Sequence, residues 1–222
     1  MYTYLSTHAD NHPRPLSRSH DMPVVFIVDE DGTAREAMRL LVQSAGWQPE
    51  TFASAQEFLS HPRALVPSCL VLDANLPDLS GLELQRRIGA ERRDMPFIFV
   101  TGHCDVPMSV KAMKAGALEF LIKPFDRDEL LTAIKEALQR SKITLARDVE
   151  MRVLRDRHAA LSRREQEVMA LVVSGLLNKQ VGFELGISEI TVKAHRGHVM
   201  RKMQARSLPE LVTMASRLST MN

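Results

Sequence analysis

The chain has 222 residues, 45% of them hydrophobic, two cysteines and a formal net charge of +2, which suffices for one or two packed cores. Two cysteines exclude a disulfide-stapled scaffold. No apolar stretch nears the roughly 20 residues a membrane helix needs and no signal-peptide core opens the chain, so the expectation is a cytoplasmic protein with no membrane partner.

Residues 1 to 22 carry His8, His12, His20, Pro13 and Pro15 among scattered Ser and Arg. They lack apolar periodicity, which predicts a disordered extension rather than a metal site.

Next comes an alternation. Val24-Val25-Phe26-Ile27-Val28 runs into Asp29-Glu30, Cys69-Leu70-Val71-Leu72 runs into Asp73, and Phe97-Ile98-Phe99-Val100 runs into Thr101. Uninterrupted apolar runs of this length read as buried parallel strands. Between them, Ala34, Met38, Leu41, Val42 and Ala45 recur at helical spacing before Gly46, and Ser80 can cap a helix after the Asp73 loop. Strand and helix alternate five times over residues 23 to 140, which predicts a doubly wound parallel sheet.

The polar residues fall at the carboxyl ends of these strands, where open α/β sheets place ligand sites. Asp29, Glu30, Asp73, Thr101 and Lys123 together fit phosphoryl transfer to a carboxylate. Two anions repel as they meet, so a divalent cation and a fixed positive charge must neutralise the developing charge. Mg²⁺ takes one or two protein carboxylates and keeps several waters, which suits the acidic pair plus Asp73. Lys123 supplies the fixed charge and the Thr101 hydroxyl a hydrogen bond. Asp31 reads as a cap for the first helix, and a tight turn at Pro124 favours a cis peptide before it. A strand-end aspartate by itself is often only a cap; the constellation gives Asp73 its chemical reading. A hydrolase using a strand-end aspartate would need a second Asp two residues on, where Asn75 stands. Cys104 reads as an ordinary loop cysteine.

The motifs Val28-Asp29-Glu30-Asp31, Leu72-Asp73-Ala74-Asn75-Leu76-Pro77-Asp78, Val100-Thr101-Gly102-His103 and Phe120-Leu121-Ile122-Lys123-Pro124-Phe125 together resemble a two-component receiver domain, a flavodoxin-like five-stranded fold. The resemblance implies that Asp73 is the phosphoacceptor, that Asp29, Glu30, Asp73 and the Asn75 backbone carbonyl hold Mg²⁺, and that Thr101 and Phe120 form a switch pair. Without it, Phe120 is simply a core aromatic.

From Asp126 to Ser174 there is neither Pro nor Gly. Leu130, Leu131, Ile134 and Leu138 mark a packed helix face, after which the pattern degrades, so residues 141 to 160 read as a helical linker. Charge changes here too. Residues 23 to 140 carry 13 Lys and Arg against 17 Asp and Glu, while residues 141 to 222 carry 14 against 8. A basic half predicts a phosphate-rich partner.

Ser162-Arg163-Arg164-Glu165 opens the last region, residues 161 to 222, with a capping box. Val168, Leu171 and Val172 mark a buried face, Gly175 stops that helix, and Asn178 can cap the next. Gly186-Ile187-Ser188 turns into a third helix near Glu189, the helix-turn-helix pattern. In that helix Val192, His195, Val199 and Met203 share one face. Lys193, Ala194, Gly197 and Arg201 share another, free to enter a groove, with Arg196 and His198 on its flanks. His195 therefore reads as structural. Base readout is expected on Lys193 and Arg201, with Lys179 and Arg196 on phosphate. Gly197 in a helix interior costs about 0.8–1.0 kcal/mol relative to Ala, unless close approach to DNA requires it. Leu208, Leu211, Val212, Ala215 and Leu218 make the last of four helices amphipathic.

Leu161-Ser162-Arg163-Arg164-Glu165, Asn178-Lys179-Gln180, Leu185-Gly186-Ile187-Ser188 and Thr191-Val192-Lys193-Ala194-His195 resemble the LuxR-type helix-turn-helix, which adds Thr191 to the DNA-facing set. Gly182 and Gly197 depart from the larger residues usual there. The whole resembles NarL/FixJ response regulators, nearest the FixJ branch through Gly102-His103-Cys104-Asp105-Val106-Pro107-Met108. That resemblance implies a transcription regulator rather than an enzyme. It also implies a sensor histidine kinase, promoter DNA and RNA polymerase as partners, and a homodimer on phosphorylation.

Overall fold

The structure, a computed structural model, describes residues 22–62, 65–89, 92–102 and 106–219. The expected N-terminal extension up to Asp21, and His103 and Cys104, lie outside the described residues. The chain divides into two compact units, Met1–Leu145 and Ala146–Asn222.

In the first unit, β1 (Val24–Val28), β2 (Gln48–Phe52), β3 (Ser68–Asp73), β4 (Phe97–Thr101) and β5 (Glu119–Ile122) form one parallel sheet in the order β2-β1-β3-β4-β5. β1, β3 and β4 are buried along their whole length. Side chains alternate across a sheet, so Val24, Phe26 and Val28 enter one apolar layer while Val25 and Ile27 enter the other. The first layer is closed by Phe58 of α2 (Ala55–Ser60), Leu84 and Ile88 of α3 (Gly81–Gly89) and Ala112 of α4 (Val106–Lys114). The second is closed by Met38 and Val42 of α1 (Gly32–Ser44) and by Leu130, Ile134 and Leu138 of α5 (Arg127–Ala159). Burial on both faces explains the unbroken apolar runs. The edge strand β2 carries Gln48, Pro49 and Glu50 and is mostly half-buried, so it lacks the apolar signature of the inner three.

Capping follows the sequence signals at two helices. Asp31 accepts from the Thr33 and Ala34 backbone N–H groups at 2.8 and 3.4 Å, and those bonds hold its carboxyl below the usual range. Ser80 accepts from the Glu83 N–H at 3.3 Å. A third cap comes from afar: Asp78, in the loop after β3, accepts from the Ala55 and Gln56 N–H groups at the start of α2, at 3.3 and 2.9 Å.

The second unit contains the end of α5 with α6 (Arg163–Val173), α7 (Asn178–Leu185), α8 (Glu189–Met203) and α9 (Leu208–Ser219). α5 is a continuous helix through residues 141 to 159. Leu154 is buried with Leu161, Met169, Val199, Met203 and Leu211, and Met151 packs against them. Their three-residue spacing puts both on one helix face, so the last turns of α5 belong to the second unit's core. Glu165 completes the capping box, accepting from Ser162 N–H at 2.7 Å while its own N–H meets Ser162 Oγ at 3.3 Å.

Asn178 does not cap α7 as the sequence pattern suggests. Leu177 holds the cap position, its N–H donating to Gln180 Oε1 at 2.8 Å. Asn178 instead accepts from Arg196 Nη1 of α8 at 2.6 Å. A side chain that meets a guanidinium there satisfies a stronger donor than a backbone N–H.

Candidate functional site

The carboxyl ends of β1, β3, β4 and β5 bring Asp29, Asp73, Thr101 and Lys123 together. Lys123 Nζ lies 2.6 Å from Asp29 Oδ2 and 2.7 Å from Asp73 Oδ2. The Lys123–Pro124 peptide is cis. Asp29 and Thr101 are fully buried and Asp73 almost so. Backbone groups take up the remaining oxygens: Asp29 Oδ1 accepts from Asp31 N–H at 2.9 Å and Asp73 Oδ1 from Asn75 N–H at 2.8 Å. Asn75 Nδ2 reaches Thr101 Oγ1 at 3.5 Å. Burial works against the Lys123 charge, but its bonds to Asp29 and Asp73 outweigh that and hold its pKa above the usual lysine value.

Gly81 lets α3 start against this strand end. A Cβ there would lie 2.8 Å from a Phe99 ring carbon and 2.9 Å from the Asp73 carbonyl oxygen, closer than packed atoms tolerate. Phe120 of β5 is half-buried on the same apolar layer, its ring centroid 6.4 Å from that of Phe99.

Two carboxylates converging on a single cation present hard oxygen donors, a set that fits Mg²⁺. Glu30 is exposed and stands apart from that pair's hydrogen bonds; among the described residues no group of three or more His, Cys, Asp and Glu is gathered at metal-holding spacing. Arg35 of α1 also reaches this strand end. Its Nη1 donates to the carbonyls of Asp29 and Glu30 at 2.6 and 3.3 Å and so steadies the acidic strand end, a role that six residues of separation do not advertise.

In the second unit, α8 follows α7 through Gly186, at φ 64°, and Ser188, whose Oγ accepts from Thr191 N–H at 3.1 Å. Val192, Val199 and Met203 are buried. Lys193, Ala194, Gly197 and Arg201 are exposed, as is Lys179 of α7, while Thr191 and Arg196 are half-buried. Lys193 pairs with Glu189 at 3.1 Å. His195 is half-buried, and its Nδ1 has no hydrogen-bond partner among the described residues. The two glycines differ: a Cβ at Gly182 would lie 2.7 Å from the Ile187 carbonyl oxygen, whereas one at Gly197 would meet nothing within 4 Å.

Comparison with known proteins bears on both units. Residues 25–135 match the family model described as response regulator receiver domain, and residues 159–215 match that described as bacterial regulatory proteins, luxR family. Nodulation protein W of Bradyrhizobium diazoefficiens is 47% identical over 195 residues, 88% of this chain and 86% of that one. Transcriptional regulatory protein FixJ of the same species is 38% identical, over 89% of this chain and 97% of its own. The solved structure of the response regulator StyR is similar at a TM-score of 0.78 and 46% identity, covering 88% of this chain and 99% of that one. The chain is a two-component response regulator with a LuxR-type DNA-binding domain.

The regulator is therefore a transcription regulator rather than a member of an enzyme family. A receiver implies a sensor kinase as donor, and receivers typically use Mg²⁺; a helix-turn-helix implies DNA. No helix among the described residues is long and apolar enough to cross a membrane.

Proposed function

We propose that the regulator takes a phosphoryl group from a sensor histidine kinase onto Asp73, and that this controls dimerisation and promoter binding. The observation that carries the reading is the convergence of two buried carboxylates, Asp29 and Asp73, on the Lys123 ammonium, at 2.6 and 2.7 Å.

In this reading an Asp73 oxygen attacks the phosphorus of a phosphohistidine. The P–O bond forms as the P–N bond breaks, and the imidazole, protonated on its other ring nitrogen, leaves as the neutral base. Lys123 binds the transferred group as a point charge, and the Thr101 hydroxyl donates to one of its oxygens. Asp29, Glu30, Asp73 and the Asn75 carbonyl are the residues proposed to hold Mg²⁺. When bound, the ion supplies neutralisation of phosphoryl charge. Thr101 moving toward the acylphosphate opens space for Phe120 to turn inward, which alters the surface of residues 106 to 115 and 118 to 122, and that surface pairs two copies.

Residues 23 to 140 then act as the receiver, 141 to 160 as the linker and 161 to 222 as the DNA-binding domain. Lys193 and Arg201 read bases beside Thr191, Ala194 and Gly197, while Lys179 and Arg196 bind phosphate. Arg196 is oriented for this by Asn178. Transcription by RNA polymerase at the bound promoter is the output, in the cytoplasm, where kinase and chromosome are both within reach.

Sedimentation and promoter-fragment binding, with and without acetyl phosphate and Mg²⁺, test this on the wild type and Asp73→Asn. Dimerisation and tighter binding are expected only in phosphorylated wild type. Equal behaviour in all four samples would overturn phosphorylation control.

A further inference from the structure

Ile190 is 79% exposed in the first turn of α8. Ile190, Ala194, Gly197 and Arg201 are separated by four, three and four residues, so they form one ridge, opposite the buried Val192, Val199 and Met203. The first three positions of that ridge hold no hydrogen-bonding side chain. A Cβ at Gly197 would meet nothing within 4 Å, so the middle of the ridge is a notch that lets the helix sink toward whatever it faces. Arg201 ends the ridge with an exposed positive charge, and Lys193, exposed and paired with Glu189 at 3.1 Å, flanks it, so the far end of the ridge is suited to a polyanion.

Only one group in the major groove is read by an aliphatic side chain rather than by a donor or acceptor: the thymine 5-methyl. A β-branched side chain left largely in water at a helix start buries little apolar surface in its own fold and has a weaker helix preference than Ala. We propose that Ile190 is a specificity-determining residue that packs on a thymine methyl in the promoter, with Ala194 alongside. The inference rests on the reading of α8 as the DNA-facing helix.

The test uses the full-length, acetyl-phosphate-treated protein and a duplex selected by it from a randomised pool. Each thymine of that duplex is replaced in turn by deoxyuridine, which removes only the methyl. At one position or more, wild type is expected to lose about three- to fivefold in affinity, the cost of leaving one methyl in water. Ile190→Ala, its folding checked by thermal unfolding, should bind the thymine duplex weaker by a similar factor and be indifferent to deoxyuridine there. A wild type that binds but ignores every methyl, or an Ile190→Ala variant that still pays the methyl penalty, overturns the assignment to Ile190. Failure of wild type to select any duplex would overturn it together with the DNA reading of α8.

Discussion

The Cβ position of Gly182 lies 2.7 Å from the backbone carbonyl oxygen of Ile187. That oxygen cannot swing aside, because it belongs to the turn whose Ile187 N–H bonds back to the Gly182 carbonyl at 2.9 Å. Gly182→Ala should therefore destabilise the second unit by about 1–3 kcal/mol, the usual cost of overpacking. Gly197→Ala, in open space, should stabilise it by about 0.8–1.0 kcal/mol. Thermal unfolding of the two variants decides, and an unchanged or raised midpoint for Gly182→Ala would show that close approach is not what demands glycine at 182.

Ser141 Oγ accepts the backbone N–H of Ser68 at 2.9 Å, and both residues are buried. Removing the hydroxyl leaves a donor with no partner at the start of β3. Ser141→Ala is expected to cost about 1–3 kcal/mol, read as a lower urea midpoint at unchanged slope. An unchanged midpoint would mean that water reaches the Ser68 amide.

Lys123 bonds to two buried carboxylates at once and offsets their mutual repulsion. Replacing it with Met should lower stability by about 3 kcal/mol in the absence of divalent ions, since an uncompensated buried charge remains. Added Mg²⁺ should restore part of that loss, because a ligand that binds only the folded state stabilises it. Equal urea midpoints for wild type and Lys123→Met, with and without Mg²⁺, would contradict the coupling.

Glu165 is buried beneath Lys202 Nζ at 2.6 Å and the Ser162 N–H at 2.7 Å, with His198 Nδ1 at 3.5 Å. The Lys202 hydrogen bond first, then the Ser162 backbone bond, lowers its pKa from 4.5 to about 2. The folded state thus binds fewer protons than the unfolded one between these values. The contribution is complete above about pH 4.5 and disappears as pH falls to about 2. Calorimetry should find wild type more stable than Glu165→Gln at pH 6 by a margin that shrinks over that window. A constant margin would assign the effect to shape rather than charge.

Charged contacts with DNA separate by salt dependence. Lys179→Ala should weaken binding evenly across sequences and reduce the salt slope by about 1, whereas Lys193→Ala should relax preference at one base position. Titrations of both variants against a selected and a scrambled duplex at several salt concentrations check this, and exchanged behaviours would reverse the roles.

Much of this architecture is legible along the chain because its causes are local. Unbroken apolar runs specify β1, β3 and β4, since a strand covered on both faces has no polar side to show. Ser162 and Glu165 announce their helix because a capping box needs only residues three apart, and Asp29, Asp73, Thr101 and Lys123 are visible as polar residues ending apolar strands. Edge strand β2 is not, being half-buried and carrying Pro49. Other features depend on partners far away in the chain, and no window of sequence contains them. Asp78 caps α2 from 22 and 23 residues away, and Ser141 completes Ser68 across 73. Arg196 draws Asn178 away from a cap it is chemically suited to make. The demand for glycine at 182 exists only once the turn places the Ile187 carbonyl against α7. Spacing dictates which face a residue occupies, but which atom waits on that face is decided by chain segments that meet only on folding.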